Sequence, residues 1–320
     1  MAQLASLQRG SDRNSRMAQP VITRLATDIG GTFTDIVLER GDKRFTTKLL
    51  TTPQAPEEAV VEGTRLVLKE AGIGFSDLDV FVHGTTLATN AVIERKGART
   101  ALIATEGFRD VIEIADESRY DQYDVFIDKP RQLVPRQLRF TVPERIDVMG
   151  KVWIHLDEAA VRKVAKALKA EKVEAVAVAF IHSYANGAHE QRVRDILANE
   201  APDIAVTLSS EVCPEMREYE RTSTAVANAY VQPLMAGYLG RLKARFAAEG
   251  YKKPIHLMTS GGSLATLETA ARFPIRLVES GPAGGAILAA YIAAERGEDK
   301  VLSFDMGGTT AKICLIHDAT

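Results

Sequence analysis

The chain has 320 residues, a length that accommodates about two domains. Hydrophobic residues make up 46% and charged residues 26%, and the net charge of −2 gives no electrostatic reason to expect nucleic acid or an anionic membrane as a partner. No run approaches the roughly 18 apolar residues of a membrane span. Cys213 and Cys314 stand far apart without metal-ligand spacing, which fits a reducing, cytoplasmic setting better than a disulfide scaffold.

Residues 1–20 carry Arg9, Arg13 and Arg16 among Ser and Gln and lack the apolar stretch of a signal peptide. Met-Ala-Gln occurs at 1–3 and again at 17–19, as an upstream start or an appended segment would produce, and this tail is expected to be disordered. From Ile22 the pattern becomes α/β. Residues 22–29 read as a buried strand, 30–32 as a tight Gly-Gly turn, 33–39 as a returning strand and 43–50 as a third. Pro53 and Pro56 introduce a helix at 57–71, ended by Gly72. A short strand at 79–82 leads through His83-Gly84-Thr85-Thr86 into a helix reaching Arg95, and a strand follows at 99–104.

Residues 115–150 are rich in Pro, Arg and Asp and read as an irregular excursion or lid. Helix 157–170, strand 173–181 and helix 188–199 form a second α/β stretch. A long helical region covers 216–249, with Pro233 predicting a break or kink. Strand 254–259 runs into Thr259-Ser260-Gly261-Gly262-Ser263, which reads as a strand-to-helix glycine turn of the ligand-binding kind, a weak signal alone. A helix is expected after Gly281-Pro282-Ala283-Gly284-Gly285, then strands 300–306 and 310–316. Strands alternating with helices predict an α/β fold, and the strand-turn-strand units require antiparallel pairs within it.

The most informative feature is an internal repeat. ATDIGGTFTDIVLE at 26–39 aligns with SFDMGGTTAKICLI at 303–316, sharing the Asp, both Gly, the Thr, an Ile and a Leu. Each copy is an apolar strand, Asp-x-Gly-Gly-Thr, and a second apolar strand. Glycines allow positive φ and close approach of backbone N–H groups to an anion. A Thr hydroxyl adds a donor, and an Asp at a strand end can hold a hydrated Mg²⁺. Two such hairpins face to face would grip a polyphosphate and its metal from both sides. Neither is a Walker A loop, since no Gly-Lys-Ser/Thr follows.

The paired hairpins resemble the two phosphate motifs of the actin/Hsp70/sugar-kinase superfamily, whose fold is α/β and ribonuclease H-like with mixed sheets. Glu279-Ser280-Gly281-Pro282-Ala283-Gly284-Gly285 with the Ala-rich stretch 286–295 is similar to its first connecting helix, although a plain buried helix reads the same way. A narrower resemblance covers nearly all of 22–320. DIGGTFTDIV (28–37), HGTTLATNAVIERKGART (83–100), EGFRDVIEI (106–114), REYERTSTAVANAYVQP (217–233) and DMGGTT (305–310) resemble the hydantoinase A/5-oxoprolinase family.

That resemblance implies an N-terminal domain over 21–200 with the first phosphate motif, and the start of a main domain over 201–320 with the second. It implies ATP and Mg²⁺, with Asp28 and Asp305 on the metal and Gly30, Gly31, Thr32, Gly307, Gly308 and Thr309 on the phosphates. Asp35 could serve as a base or supporting carboxylate in the cleft, or equally pair with a surface lysine. His83, Thr85, Thr86 and Asn90 are substrate-binding candidates, although Thr85 or Thr86 also suits an ordinary N-cap and His83 an ordinary structural histidine. Glu218, Arg221 and Thr222 open the long helix, where Glu and Thr also serve capping.

The implied reaction is ATP-dependent hydrolysis of a cyclic amide (a hydantoin, 5-oxoproline or a lactam) through phosphorylation of the amide oxygen, with a partner of the family's B type. The same motifs would serve an acetone-carboxylase-type subunit, a small-molecule kinase or a non-catalytic ATP-dependent switch; homo-oligomerisation is left open. The superfamily's adenosine-binding motif and second connecting helix do not follow before Thr320, so the sequence reads as part of a larger enzyme whose second lobe is truncated.

Overall fold

The computed structural model describes residues 21–116, 121, 123–306 and 311–317. The tail 1–20 lies outside them, as do Gly307, Gly308 and Thr309. In β1 (Thr23–Ile29) every odd residue is buried, and the strand returns antiparallel through β2 (Phe33–Arg40) and β3 (Lys43–Leu50). The amphipathic helix α1 (Pro56–Ala71) closes over this meander, with Pro56 in its first turn and Gly72 as a left-handed C-cap. Leu25, Ile29, Ile36 and Leu38 share a core with Val60 and Val67 of α1, each fully or almost fully buried. Burial of such side chains contributes about 1.5–3 kcal/mol apiece. Gly63 makes the close packing possible, since a Cβ there would come within 2.2 Å of Ile36 Cδ1.

The next strand, β4 (Val80–Thr85), lies parallel to β1 and continues through His83-Gly84-Thr85, which the sequence had placed after the strand. Helix α2 (Leu87–Ile93) follows. A second layer then begins with β5 (Thr100–Thr105) and the short α3 (Val111–Ile114). Within 115–150, read from sequence as irregular, the chain forms β6 (Arg139–Val142), and β7 (Arg145–Ile146) pairs with β8 (Val152–Ile154). Arg139 hides the strand signal in β6: it is 4% exposed, bonded to Val134 O and paired with Asp110 and Glu113.

Helix α4 (Glu158–Ala170), β9 (Ala175–Ala179), α5 (Ala188–Glu200), β10 (Ala205–Leu208) and α6 (Ser209–Val212) complete this layer as a parallel sheet in the order β10-β9-β5-β6. Helix α7 (Glu218–Ala248) then spans both layers. Ala225, Val226 and Ala229 enter the core of the parallel sheet, and Tyr230, Val231, Met235, Tyr238, Leu242 and Phe246 enter the core under β1–β4. The helix runs through Pro233 as one element. Proline removes one backbone donor there, and packing on both sides keeps the helix whole.

Strands β11 (Ile255–Met258) and β12 (Leu264–Thr266) extend the first sheet to the order β12-β11-β4-β1-β2-β3. The first sheet therefore takes strands from both sides of residue 200. The Thr259–Ser263 turn joins two antiparallel strands rather than a strand and a helix, with Gly262 at φ +76°. Helix α8 (Leu267–Arg272) leads to α9 (Ser280–Arg296), which takes in Gly281 and Pro282; a proline in the first turn leaves no intrahelical bond unmade. The hairpin β13 (Lys300–Met306) with β14 (Ala311–His317) packs on α9 as a separate two-stranded sheet. No helix among the described residues is long and apolar enough to cross a membrane.

A polar node pins β1, β4 and α7 together. His83 is fully buried, its Nδ1 lies 2.6 Å from Thr27 Oγ1, and its Nε2 lies 2.7 Å from the Tyr238 hydroxyl. Burial pushes its pKa down to about 3. Below its ordinary 6.5, the unfolded chain gains a proton that the folded chain refuses until about 3, so stability falls with pH across that window. Urea unfolding between pH 6.5 and 5.5 should show a loss of stability that His83→Gln reduces by about 1 kcal/mol over that pH unit. An unchanged loss in the variant would mean that the ring is protonated in the folded protein.

Candidate functional site

Strand alternation places the site. Thr27 and Ile29 point into the core, so Asp28 between them emerges on the opposite face. In register beside it stand Asp35 on β2 and Gly84 on β4. A Cβ on Gly84 would lie 2.9 Å from Asp28 Oδ1, so the carboxylate folds across a position that only glycine leaves open. Sequence reading weighed His83, Thr85 and Thr86 in this segment and missed Gly84. The available signal was a glycine inside an otherwise apolar strand.

The Gly30-Gly31-Thr32 turn follows directly. Gly30 N–H donates to Phe33 O at 2.9 Å, Thr32 O accepts from Thr51 N–H at 2.9 Å, and the Thr51 hydroxyl donates to Gly30 O at 2.9 Å. Among the described residues the amides of Gly31 and Thr32 make no backbone hydrogen bond, which leaves two donors at the exposed tip. Neither Gly30 nor Gly31 has positive φ, contrary to the sequence expectation. Space is what these glycines supply: added Cβ atoms would meet Phe33 O at 3.1 Å and Asn90 Nδ2 at 3.3 Å.

The β4–α2 junction abuts this turn. Thr86 donates to Ile29 O from its N–H at 3.0 Å and its hydroxyl at 3.2 Å, and Asn90 Nδ2 donates to Thr86 Oγ1 at 3.2 Å. Asn90 therefore stands against the Gly30-Gly31-Thr32 turn. Thr85 is 2% exposed, and its hydroxyl accepts from Leu87 N–H at 3.2 Å, a local bond across the turn into α2. His83 lies on the core face with both ring nitrogens engaged, so no ring nitrogen is left for a ligand. The start of α9 docks here too: Glu279 N–H donates to Thr89 Oγ1 at 3.1 Å, with Glu279 held at φ +65°.

Electrostatics bring in the second hairpin. Burial raises the pKa of Asp28, and Asp35 and Asp305 raise it further, while Lys312 and Lys48 partly offset them. Asp28 retains accessible surface although lost hydration is the largest cause; a carboxylate on the floor of an open cleft satisfies both facts. Asp35 accepts Lys48 Nζ at 2.7 Å, the surface-lysine pairing left open from sequence, while still facing Asp28 across the strands. Lys312 stands opposite Asp305 in the β13–β14 register and lies 3.4 Å from Glu279 Oε2. Four carboxylates (Asp28, Asp35, Asp305 and Glu279) thus meet two lysines, leaving negative charge that a divalent cation would neutralise.

Among the described residues no cluster of three or more His, Cys, Asp or Glu could enclose a metal. Magnesium suits that shortage, because it keeps several waters and uses one or two carboxylates together with substrate phosphates. The donor set therefore fits a hydrated Mg²⁺ bridging to a polyphosphate. The roles assigned to Gly307, Gly308 and Thr309 fall outside the described residues.

The helix opening offered as a functional candidate is a strut. Arg221 is 1% exposed and donates to Glu215 O at 2.8 Å and Phe180 O at 2.9 Å, tying α7 to the end of β9, and Thr222 beside it is buried. A second polar group at the carboxyl ends of the parallel strands was not foreseen. Glu144, 2% exposed, accepts from the Thr105 hydroxyl and pairs with His189 Nδ1 at 2.8 Å beside a hollow of about 260 Å³. Its members lie 39 and 45 residues from Glu144 in sequence, so no local pattern announces it.

Comparison with known proteins agrees with this architecture. The chain is 35% identical over 301 residues to the caprolactamase subunit alpha of Pseudomonas jessenii, covering 91% of this chain and 43% of that subunit. It is 32% identical over 323 residues to 5-oxoprolinase 1 of Arabidopsis thaliana, covering 91% and 25%. The nucleotide-free structure of acetone carboxylase superposes with a TM-score of 0.85 at 28% identity, over 93% of this chain and 44% of that one. The fold is thus the mixed α/β architecture of an actin-like ATPase, and the chain spans less than half the length of these relatives. The hydantoinase/oxoprolinase N-terminal region matches residues 24–201 and the hydantoinase/oxoprolinase model matches 221–320; the chain belongs to the hydantoinase/oxoprolinase family.

Proposed function

We propose that the complete protein hydrolyses a cyclic amide at the expense of ATP, with this chain supplying the phosphate grip. The observation that carries the reading is the electrostatic coupling of Asp28 to Asp305, one from each copy of the repeat, with Asp35 in register beside Asp28 and Lys312 beside Asp305. The likeness to a caprolactamase subunit and a 5-oxoprolinase supplies the substrate class. Residues 201–320 would open the main domain, a B-type subunit or domain would complete ring opening, and the cytoplasm would house the enzyme.

The chemistry follows from what an amide lacks. Its carbonyl is a poor electrophile, and its oxygen is the nucleophilic end. Attack of that oxygen on the γ-phosphorus breaks the bond to the bridging oxygen and releases ADP. The resulting O-phosphorylated imidate adds water at carbon, and the adduct breaks its C–N bond to give a ring-opened acyl phosphate. A second water at that carbon releases phosphate with the original amide oxygen and leaves the carboxylate. In such transfers the protein chiefly positions groups and offsets charge. The Gly31 and Thr32 amides and the Thr32 hydroxyl would hold phosphate oxygens, and Asp28 and Asp305 would carry a hydrated Mg²⁺, whose charge would shield the phosphates. Asn90, against the turn, is the best placed of the candidate residues to reach the substrate oxygen. A second reading, activation of a ketone by phosphorylation before carboxylation, is favoured by the likeness to acetone carboxylase.

With a lactam carrying ¹⁸O in its carbonyl, the label should appear in inorganic phosphate. Label retained wholly in the product carboxylate would sink the phosphorylation step. Asp28→Asn and Asp305→Asn should each weaken the dependence on Mg²⁺ by on the order of 10- to 100-fold in a metal titration of ATP turnover. Because its neighbours and burial raise the Asp28 pKa, Mg²⁺ affinity should fall on acidification before ordinary carboxylates protonate, and Asp28→Asn should remove that early limb.

A further inference from the structure

The two copies of the repeat differ at two charged positions: Glu39 is matched by Ile316, and one position beside the motif reverses its charge. Asp35 in the first copy is matched by Lys312 in the second. Both are the cross-strand partners of the motif aspartates, Asp28 with Asp35 and Asp305 with Lys312. The repeat therefore places a carboxylate on one wall of the cleft and an ammonium group on the other.

Lys48 and Lys312 are the cations that act on Asp28, and they are held differently. Lys48 is engaged at 2.7 and 2.9 Å by both oxygens of Asp35 and also lies over the Phe33 ring. Lys312 is about three-quarters shielded, and among the described residues its one carboxylate partner is Glu279, at 3.4 Å, beyond good hydrogen-bond length for a charged pair. Glu279 is itself half exposed and sits at φ +65°, with its N–H fixed on Thr89. A loosely held ammonium beside four carboxylates is an unstable balance, unless an anion is to take it.

We propose that Lys312 is a phosphate-binding residue of the nucleotide cleft, held in reserve by Glu279 and transferred to a phosphate oxygen when Mg²⁺-ATP binds. The proposal rests on the reading of the cleft as an ATP site. It accounts for the exchange of charge between the two copies: metal and phosphate together need carboxylates on one side and a cation on the other. Phosphate outcompetes Glu279 because it brings more negative charge and more acceptor oxygens to a compact, strongly hydrated point charge.

The test compares binding of Mg²⁺-ATP to the complete protein carrying Lys312→Gln, Lys312→Arg or Glu279→Gln, by calorimetry. Lys312→Gln should weaken binding by about tenfold or more, the equivalent of one charge-assisted hydrogen bond. Lys312→Arg should restore most of it, and Glu279→Gln should leave binding equal or tighter. Mg²⁺-ATP should also slow acetylation of Lys312 in the unsubstituted protein, followed by peptide mass spectrometry, a readout independent of how the variants fold. Wild-type affinity in Lys312→Gln, equal weakening by Lys312→Gln and Glu279→Gln, or acetylation indifferent to ATP would each overturn the proposal and leave the cleft assignment standing. Absence of saturable Mg²⁺-ATP binding to the unsubstituted protein would overturn both.

Discussion

The placement of Asp28 depends on a two-residue alternation. Thr27 and Ile29 are buried on the core face of β1, Thr27 against His83 and Ile29 against the apolar cluster under α1. A strand cannot turn both neighbours inward without turning the residue between them outward. The carboxylate therefore emerges at the strand end, where the backbone has just been freed by Gly30 and Gly31. Parallel pairing with β4 then sets Gly84 beneath it, and antiparallel pairing with β2 sets Asp35 beside it. A slip of one residue in either register would bury the carboxylate.

The second constraint is mechanical. Helix α7 is buried in both cores, handing over from one to the other between Ala229 and Tyr230. Its Tyr238 hydroxyl closes the node with His83, so the beam that joins the layers also fixes the back of the strand carrying the site. Near the handover, Gly97 lets the Tyr230 ring lie against the backbone where any Cβ would come within 2.2 Å of it. Rigidity at the rear of β1 and β4 and accessibility at the front are two consequences of the same packing.

Much of this was legible in the sequence, because periodicity and punctuation agree over β1–β3, α1, α4 and α5. The paired motif Asp residues were legible because the repeat states them twice. What escaped was non-local. The partners of His83 lie 56 and 155 residues away, so its burial could not be read from the apolar strand before it. Gly84 looked like a loop residue because glycine weakens strand signals, whereas it is a strand residue making room for Asp28. Gly30 and Gly31 pointed to positive φ as well as to close approach, and only tight packing around them is seen. Pro233 pointed to a break or kink, and the helix continues through it as one element packed on two sides.

The central claim is that the two hairpins, facing one another, grip a single polyphosphate. A crystal structure of the complete protein with Mg²⁺ and a non-hydrolysable ATP analogue tests it most directly. The account predicts phosphate oxygens on the Gly31 and Thr32 amides and on the second hairpin, with Asp28 and Asp305 reaching the metal directly or through its waters. A polyphosphate bound elsewhere, such as the hollow beside Glu144, or a metal remote from both aspartates, would contradict it.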